Sequence, residues 1–385
     1  MGEDRRLVSA LEASGKLSRS LEFIPEDEQL AERSARGEGL TRAELAILIS
    51  YSKADLKETL ADSDVPDDEY LGEELHTAFP ATLVERHEDA LAGHRLRREI
   101  IATQLANDMV NHMGVTFQRR LEQSTGATPG EIARAYVVAR DVFRLTYHFG
   151  TIEALDHQVP ASVQFDLMDD LMRLGRRATR WFIRNRRLDL RAGDEVAHFK
   201  PRIAALAEQF DSLFEGPKRG VWETRYNSYL SAGVPEQIAR MIAATSLFYS
   251  MLGIIEAADA TGQPTERVAR VSFVLGSELQ IPWFGQLISN LQVDNHWQAL
   301  ARESYRDDLD GLLRTMTVSA LQTSSEESEV DEVVENWIER NEQLLVRWRT
   351  MLTDLKSATT GDYPMISVAM RELLDLAQGA NNQTG

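Results

Sequence analysis

Six arginines, Arg173, Arg177, Arg180, Arg184, Arg187 and Arg191, recur at alternating spacings of four and three residues. This spacing puts side chains on one face of an α-helix. A helix carrying the set presents a cationic ladder, with Leu167, Leu171, Leu174, Ala178 and Trp181 on another face. Guanidinium groups that close together repel one another unless carboxylates or a polyanion lie opposite. The simplest partners are the chain's own Asp and Glu residues. The alternatives are an acidic surface of another domain or subunit, and a nucleotide or other anionic effector.

Other constellations are thinner. Glu73 with His76, and Glu195 with His198, show the Glu-x-x-His spacing that a di-iron four-helix bundle uses on two of its helices. Glu195, however, comes just after Gly193 and Asp194, at an expected helix start, whereas bundle ligands project from mid-helix. With 61 acidic residues and 8 histidines, chance pairs are expected. Asp307, Asp308 and Asp310 resemble a magnesium-binding aspartate cluster, but the second acidic helix of such sites is not evident. His87 and Glu88 are followed by Leu91 where a zincin needs its second histidine. No GxGxxG follows a strand-like run, and the glycine pair Gly37 and Gly39 has Arg42 where a third glycine would be needed. His112 and His148 read most simply as packing or surface histidines. No catalytic, cofactor-binding or metal-binding residue is assigned, and the six arginines stand as the candidate interaction face.

The elements that would position these residues are helical. Thr41 with Glu44, and Thr128 with Glu131, have the spacing of capping boxes, and Pro129 suits a first helical turn. A related helix start occurs three times, at Pro129 before Ile132-Ala133-Arg134, at Pro235 before Ile238-Ala239-Arg240, and at Pro264 before Val268-Ala269-Arg270. It reads as convergence on a good helix start, with a degenerate repeat as the alternative, because no regular period joins the copies. Val and Ile rarely alternate with polar residues, so strands are not expected. About 15 helices follow from ordinary helix and loop lengths. At 385 residues the chain exceeds the roughly 250–300 at which single cores stop growing. The fold class is therefore all-α, an assembly of two or more helical subdomains with little or no sheet.

Breaks are expected at Asp62–Asp68, Gly216–Gly220 and Thr323–Glu329. The resulting division is an N-terminal helical segment (1–90), a central subdomain with the arginine ladder (91–217), a second subdomain (218–322), a C-terminal helical pair (323–378) and a disordered tail (379–385). Val334, Trp337, Asn341, Leu344, Trp348, Met351 and Leu355 follow a heptad-like spacing, which reads as an intramolecular helix pair or as a seam between subunits with Asn341 fixing register. Ile281-Pro282-Trp283-Phe284-Gly285 brings aromatics to a helix start, for packing or to wall a pocket.

The most informative segment is HRLRREIIATQLANDMVNHMG, His94 to Gly114. Ile100, Ile101, Leu105 and Met109 form an apolar face, and Thr103, Asn107 and Asn111 recur every four residues on another, which predicts a helix buried between neighbours with both asparagines hydrogen-bonded inside the packing. With LTRAELAILISYSK (Leu40 to Lys53), ARAYVVARDVF (Ala133 to Phe143), TRWFIRNRR (Thr179 to Arg187) and the run from Gly276 to Asp310, it resembles the C-terminal region of the large bacterial NAD-specific glutamate dehydrogenases. The resemblance extends from about Leu7 to about Leu376. Many relatives carry Pro two residues after the threonine of the LTR string, where this chain has Ala43.

The resemblance implies that glutamate is oxidised to 2-oxoglutarate and ammonia, with NAD as hydride acceptor, by a catalytic domain upstream of the matched part, where the family's catalytic lysine and aspartate lie. This chain is then expected to be a non-catalytic C-terminal domain serving assembly or regulation. It would hold no cofactor itself, NAD belonging to the full-length enzyme, and its partners would be the upstream catalytic domain and other subunits of a homo-oligomer. A helix-like segment beginning at Arg5 with hardly any leader fits a chain cut from a longer one. The alternative is a free-standing helical protein-interaction adaptor.

Composition narrows the classes. A net charge of -19 argues against nonspecific binding to nucleic acid or anionic membranes, which depends on cationic surface. The absence of cysteine excludes disulfides, thiolate metal sites and a cysteine nucleophile, and fits a reducing compartment. No apolar run approaches the roughly 20 residues of a membrane span, and Glu3, Asp4, Arg5 and Arg6 do not begin a signal peptide. A cytoplasmic location is expected.

Overall fold

Thr41 and Thr128 begin their helices through reciprocal bonds. The Thr41 amide donates to Glu44 Oε2 (2.7 Å) while the Glu44 amide donates to Thr41 Oγ1 (3.3 Å), and Thr128 and Glu131 repeat the pattern at 2.7 and 3.3 Å. Each box satisfies amide donors that an isolated first turn leaves open. The computed structural model describes residues 2–209, 213, 217–325, 327–358 and 361–382. Among them are twenty-one α-helices, three short 3-10 turns and no strand. Helices of a single turn and breaks inside longer apolar runs raise the count above the expected 15.

Two compact units result, one of Met1–Ala154 with Gln164–His198 and the other of Leu155–Val163 with Phe199–Gly385. In the first, the helix Arg42–Ala61 packs along Arg97–Met113, and Pro129–Val142 lies against both. The last is buried almost all round: Ile132, Ala133, Ala135, Tyr136, Val137, Val138 and Ala139 are inaccessible, as a central core helix must be. A further cluster joins Leu7, Val8, Leu11, Leu17, Ile24 and Leu48. In the second unit, His296–Gln322 packs against Thr245–Thr261 and Tyr363–Asn382, and Glu342–Ser357 covers Tyr363–Asn382.

Breaks occur after Ala61, where Asp62 caps the helix, and between Gln322 and Val330. Lys218 to Gly220, expected in a loop, instead lie in the helix Pro217–Ser231, because Pro217 occupies a helix start rather than a linker; Gly216 is outside the described residues. The C-terminal helix runs to Asn382, so residues 379–382 continue it rather than forming a tail.

The heptad-like run is intramolecular. Its helix breaks at Asn341, between Val330–Arg340 and Glu342–Ser357, and Trp337 and Trp348 are both 1% exposed within their unit. Trp348 Nε1 donates to the Leu279 carbonyl at 3.0 Å, and its ring meets Phe284 edge-on. Phe284, from the aromatic helix start at Ile281, is thus core packing.

The three proline-led starts share only their opening. Gly126 and Gly262 take left-handed conformations (φ +66° and +68°) that end the preceding helices, and Ala133, Ala239 and Ala269 are all fully buried. The arginines then diverge. Arg134 pairs with Asp64 and Asp68, whereas Arg270 pairs with Glu266 on its own helix.

Candidate functional site

The arginine ladder spans more than one element. Arg173, Arg177, Arg180 and Arg184 lie on the helix Ala161–Arg186, whose Leu167, Leu171, Leu174, Ala178 and Trp181 are buried. Arg187 opens a 3-10 turn, Arg187–Asp189, that ends at extended Leu190, and Arg191 precedes the next helix. The six arginines therefore do different things. Arg180 is buried, with Nη1 donating to Ser124 Oγ at 2.6 Å. Arg187 donates to Glu131 Oε1 (2.8 Å) and to the carbonyls of Thr125 (3.3 Å) and Gly126 (2.8 Å), fastening the end of one helix to the capping box of the next. Its hydrogen bond, with that from Thr128, holds the Glu131 carboxyl below the usual range. Arg173 is exposed and pairs with Asp169 and Asp170 on its own helix. Arg177 is half-buried, and Arg184 and Arg191 are exposed.

A second constellation was not singled out from sequence. At its centre Arg140 donates from Nη2 to Glu74 Oε1 (2.6 Å), from Nη1 to Asp108 Oδ2 (3.0 Å) and from Nε to Asp141 Oδ1 (2.8 Å). His112 Nδ1 lies 2.6 Å from the other Asp108 oxygen, and Tyr70 donates its hydroxyl to Asp141 at 2.9 Å. The fully buried Tyr136 hydroxyl neighbours Asp108 without closing a hydrogen bond of ordinary geometry. Burial opposes charge on Arg140, but the hydrogen bond to Asp141 and the three surrounding carboxylates outweigh it. Burial also opposes ionisation of Asp108, yet His112 and Arg140 hold it below its ordinary range. For Glu74 burial wins and its carboxyl is pushed up. Asp108 is also held by His112 and Asp141 by Tyr70, whereas Glu74 relies on its share of the one guanidinium and is the least supported of the three.

Apart from Tyr70, which precedes the 3-10 turn Leu71–Glu73, these groups come from Glu74–Thr77, Arg97–Met113 and Pro129–Val142, so the cluster fixes three helices relative to one another. All three guanidinium nitrogens of Arg140 are engaged, which suits a clamp better than a site that must release and rebind a substrate. The sequence signal was present in the adjacent charges Arg140-Asp141 inside the apolar run AYVVARDVF, and in Asp108 four residues before His112.

The expected polar stripe of Arg97–Met113 is corrected. Asn111 is exposed and Asn107 half-buried. At 100° per residue the buried face, Ile101, Ala102, Leu105, Ala106, Met109, Val110 and Met113, lies opposite Thr103, Asn107 and Asn111, while Asp108 and His112 fall on its flank. His112 also stacks on Phe149, with ring centroids 4.5 Å apart. His148 is half-buried, and burial with the nearby Arg144 charge pushes it down to about 4. His76 pairs with Glu73 at 3.0 Å. Among the described residues no group of three or more His, Asp or Glu side chains is placed to hold a metal ion, and no single helix is long and apolar enough to cross a membrane.

Comparison with known proteins supplies the context. The family described as "Glutamate dehydrogenase, C-terminal" matches residues 37–375. The chain is similar to the NAD-specific glutamate dehydrogenase of Pseudomonas aeruginosa, 56% identical over 99% of this chain and 24% of that protein. It also resembles the NAD-specific glutamate dehydrogenases of Halomonas elongata, 44% identical over 98% of the chain and 23% of that protein, and of Mycobacterium tuberculosis, 30% identical over 95% and 22%. The chain thus spans about a quarter of the length of these relatives.

Proposed function

Because this chain belongs to the family of glutamate dehydrogenase C-terminal regions, we propose that it is the non-catalytic C-terminal helical part of an NAD-specific glutamate dehydrogenase, organising subunits or transmitting regulation to a catalytic part elsewhere in the polypeptide. The observation that carries this reading is the match of 99% of the chain to only 24% of an enzyme whose name specifies the reaction. The all-helical architecture supports it, since a dinucleotide crevice is built on parallel strands. In this reading NAD and the deamination of glutamate to 2-oxoglutarate and ammonia belong to the full-length enzyme. Its location is cytoplasmic, its partners are the upstream catalytic domain and other subunits, and it works as a homo-oligomer. Of the finer division, the boundary at 322/323, at the end of the helix His296–Gln322, is a further part of the proposal with limited proteolysis as its check, whereas 90/91 and 217/218 fall inside the helices Ala81–Ala92 and Pro217–Ser231 and are not carried further.

The ladder contributes its exposed members, Arg173, Arg184 and Arg191, as the candidate interaction face, whereas Arg180 and Arg187 serve the fold. The purified chain should neither reduce NAD with glutamate, followed by absorbance, nor bind NAD in a calorimeter. Turnover by the chain alone would overturn the reading. Replacing Arg173, Arg184 and Arg191 by Glu should weaken assembly of the full-length enzyme in a salt-dependent way, since interfacial charge contacts are screened. Unchanged sedimentation at low and high salt would remove the ladder from the interface.

A further inference from the structure

Arg19 is 5% exposed and opens the single-turn helix Arg19–Glu22, which lies between the helices Gly2–Ala13 and Asp27–Ala35. Its Nε donates to Glu12 (2.9 Å), Nη1 to the Pro25 carbonyl (2.9 Å), and Nη2 to Asp27 (2.9 Å). The Tyr51 hydroxyl donates to Glu22 at 2.6 Å, and Leu17 and Ile24 anchor the segment in the apolar cluster. On this braced turn stand Leu21, 76% exposed, and Phe23, 87% exposed. Phe23 takes a left-handed conformation, φ +55° and ψ +34°, which a bulky side chain adopts only when its surroundings impose it. The turn therefore holds an aromatic ring out in solvent against its backbone preference and against the tendency of such rings to bury. Glu26, Glu28 and Glu32 are exposed close by in sequence, so the protrusion is apolar with acidic neighbours.

Two observations indicate what covers it. The family match begins at residue 37, yet the similarity to the Pseudomonas aeruginosa enzyme covers 99% of the chain, so this segment is shared with a protein about four times as long while lying outside the region that the family match covers. Its charge also selects a basic surround. We propose that Phe23, with Leu21, is a knob that seats in an apolar socket rimmed by Lys and Arg on the preceding part of the dehydrogenase polypeptide. Buried aromatic anchors of this kind carry a disproportionate share of interface energy. The inference rests on the reading under Proposed function and assigns that contact to named residues.

The chain contains no cysteine, so Ser20→Cys, at an exposed position beside the knob, introduces a unique thiol and leaves Phe23 in place. Its rate of maleimide labelling is measured in the 385-residue chain and in a chimaera in which this sequence replaces the matching quarter of the Pseudomonas aeruginosa enzyme, with peptide-resolved mass spectrometry. Labelling should be about tenfold slower in the chimaera, and Phe23→Asn should restore it, since removing a hot-spot anchor typically costs tenfold or more in binding. Asparagine tolerates the left-handed backbone, so the same substitution should not lower the melting temperature of the isolated chain. Equal labelling in an active chimaera overturns the docking contact alone, as does slow labelling that Phe23→Asn leaves unchanged. A lower melting temperature of the Phe23→Asn chain would show that the ring works within its own fold, and overturns it too. A chimaera that neither assembles nor oxidises glutamate would instead overturn the reading of the chain as that enzyme's C-terminal part.

Discussion

The two units fix their helices by opposite means. In the first, a guanidinium surrounded by three carboxylates sits among Glu74–Thr77, Arg97–Met113 and Pro129–Val142; in the second, Trp337 and Trp348 fill the seam and use their indole nitrogens on Ser319 and Leu279. An ionic cluster gains little net free energy over an apolar core, because desolvation offsets most of the attraction. It does penalise wrong arrangements, since any slip strands a buried charge. An indole seam tolerates small shifts and is indifferent to pH. The first unit should therefore be sensitive to charge and acid, and the second to shape.

The largest expected effect is from Arg140→Ala. Three carboxylates lose their shared cation, which should cost about 3–5 kcal/mol in chemical denaturation. With the guanidinium gone the Glu74 and Asp108 carboxyl groups would be raised in the folded state, and the loss should be greatest at neutral pH and shrink as pH falls and they take up protons. A loss independent of pH would mean that packing, not charge, dominates the site.

A smaller acid effect belongs to His148. Its folded-state value, near 4, lies below the roughly 6.5 of an unfolded histidine. Between those values the unfolded chain binds the extra proton, so stability falls as pH drops through this window. The expected loss is up to about 2 kcal/mol at pH 5 relative to pH 8. His148→Asn should flatten that part of the profile; an unchanged acid slope would relocate the sensitivity.

In the second unit, Trp348→Phe keeps most of the ring but strands the Leu279 carbonyl, for a loss of about 1–3 kcal/mol. The loss should be the same at pH 5 and pH 8, and a pH-dependent loss would erase the contrast between the units. The smallest effect is expected of Arg173→Ala and Asn111→Leu, both at exposed positions, each within about 0.5 kcal/mol by thermal melting. A larger shift at Asn111 would revive the buried-asparagine stripe.

Helix starts were legible because capping is local. Thr41 and Thr128 need only the residue three positions on, and both boxes form. The heptad-like run gave the buried tryptophans but not the break at Asn341, whose side chain, 3% exposed, donates to the Trp337 carbonyl. Period alone does not say whether a helix continues through a buried amide. The asparagine stripe misled for a related reason. Helical spacing identifies residues that share a face, but which face meets a neighbour depends on where the neighbours pack.

The sequence by itself determined that this chain is helical, where many of its helices begin, and, through its residue strings, which family it belongs to. All of these rest on interactions within a few positions or on identity. Tertiary structure alone decided which charges are consumed. Arg187 reads only as a rung of the ladder and Arg140 only as a charge in an apolar run until Glu131, Glu74 and Asp108, distant in sequence, are brought within hydrogen-bonding range. The exposure of Phe23 was likewise decided by the fold, because an aromatic residue reads as core until the braced turn beneath it holds the ring in solvent.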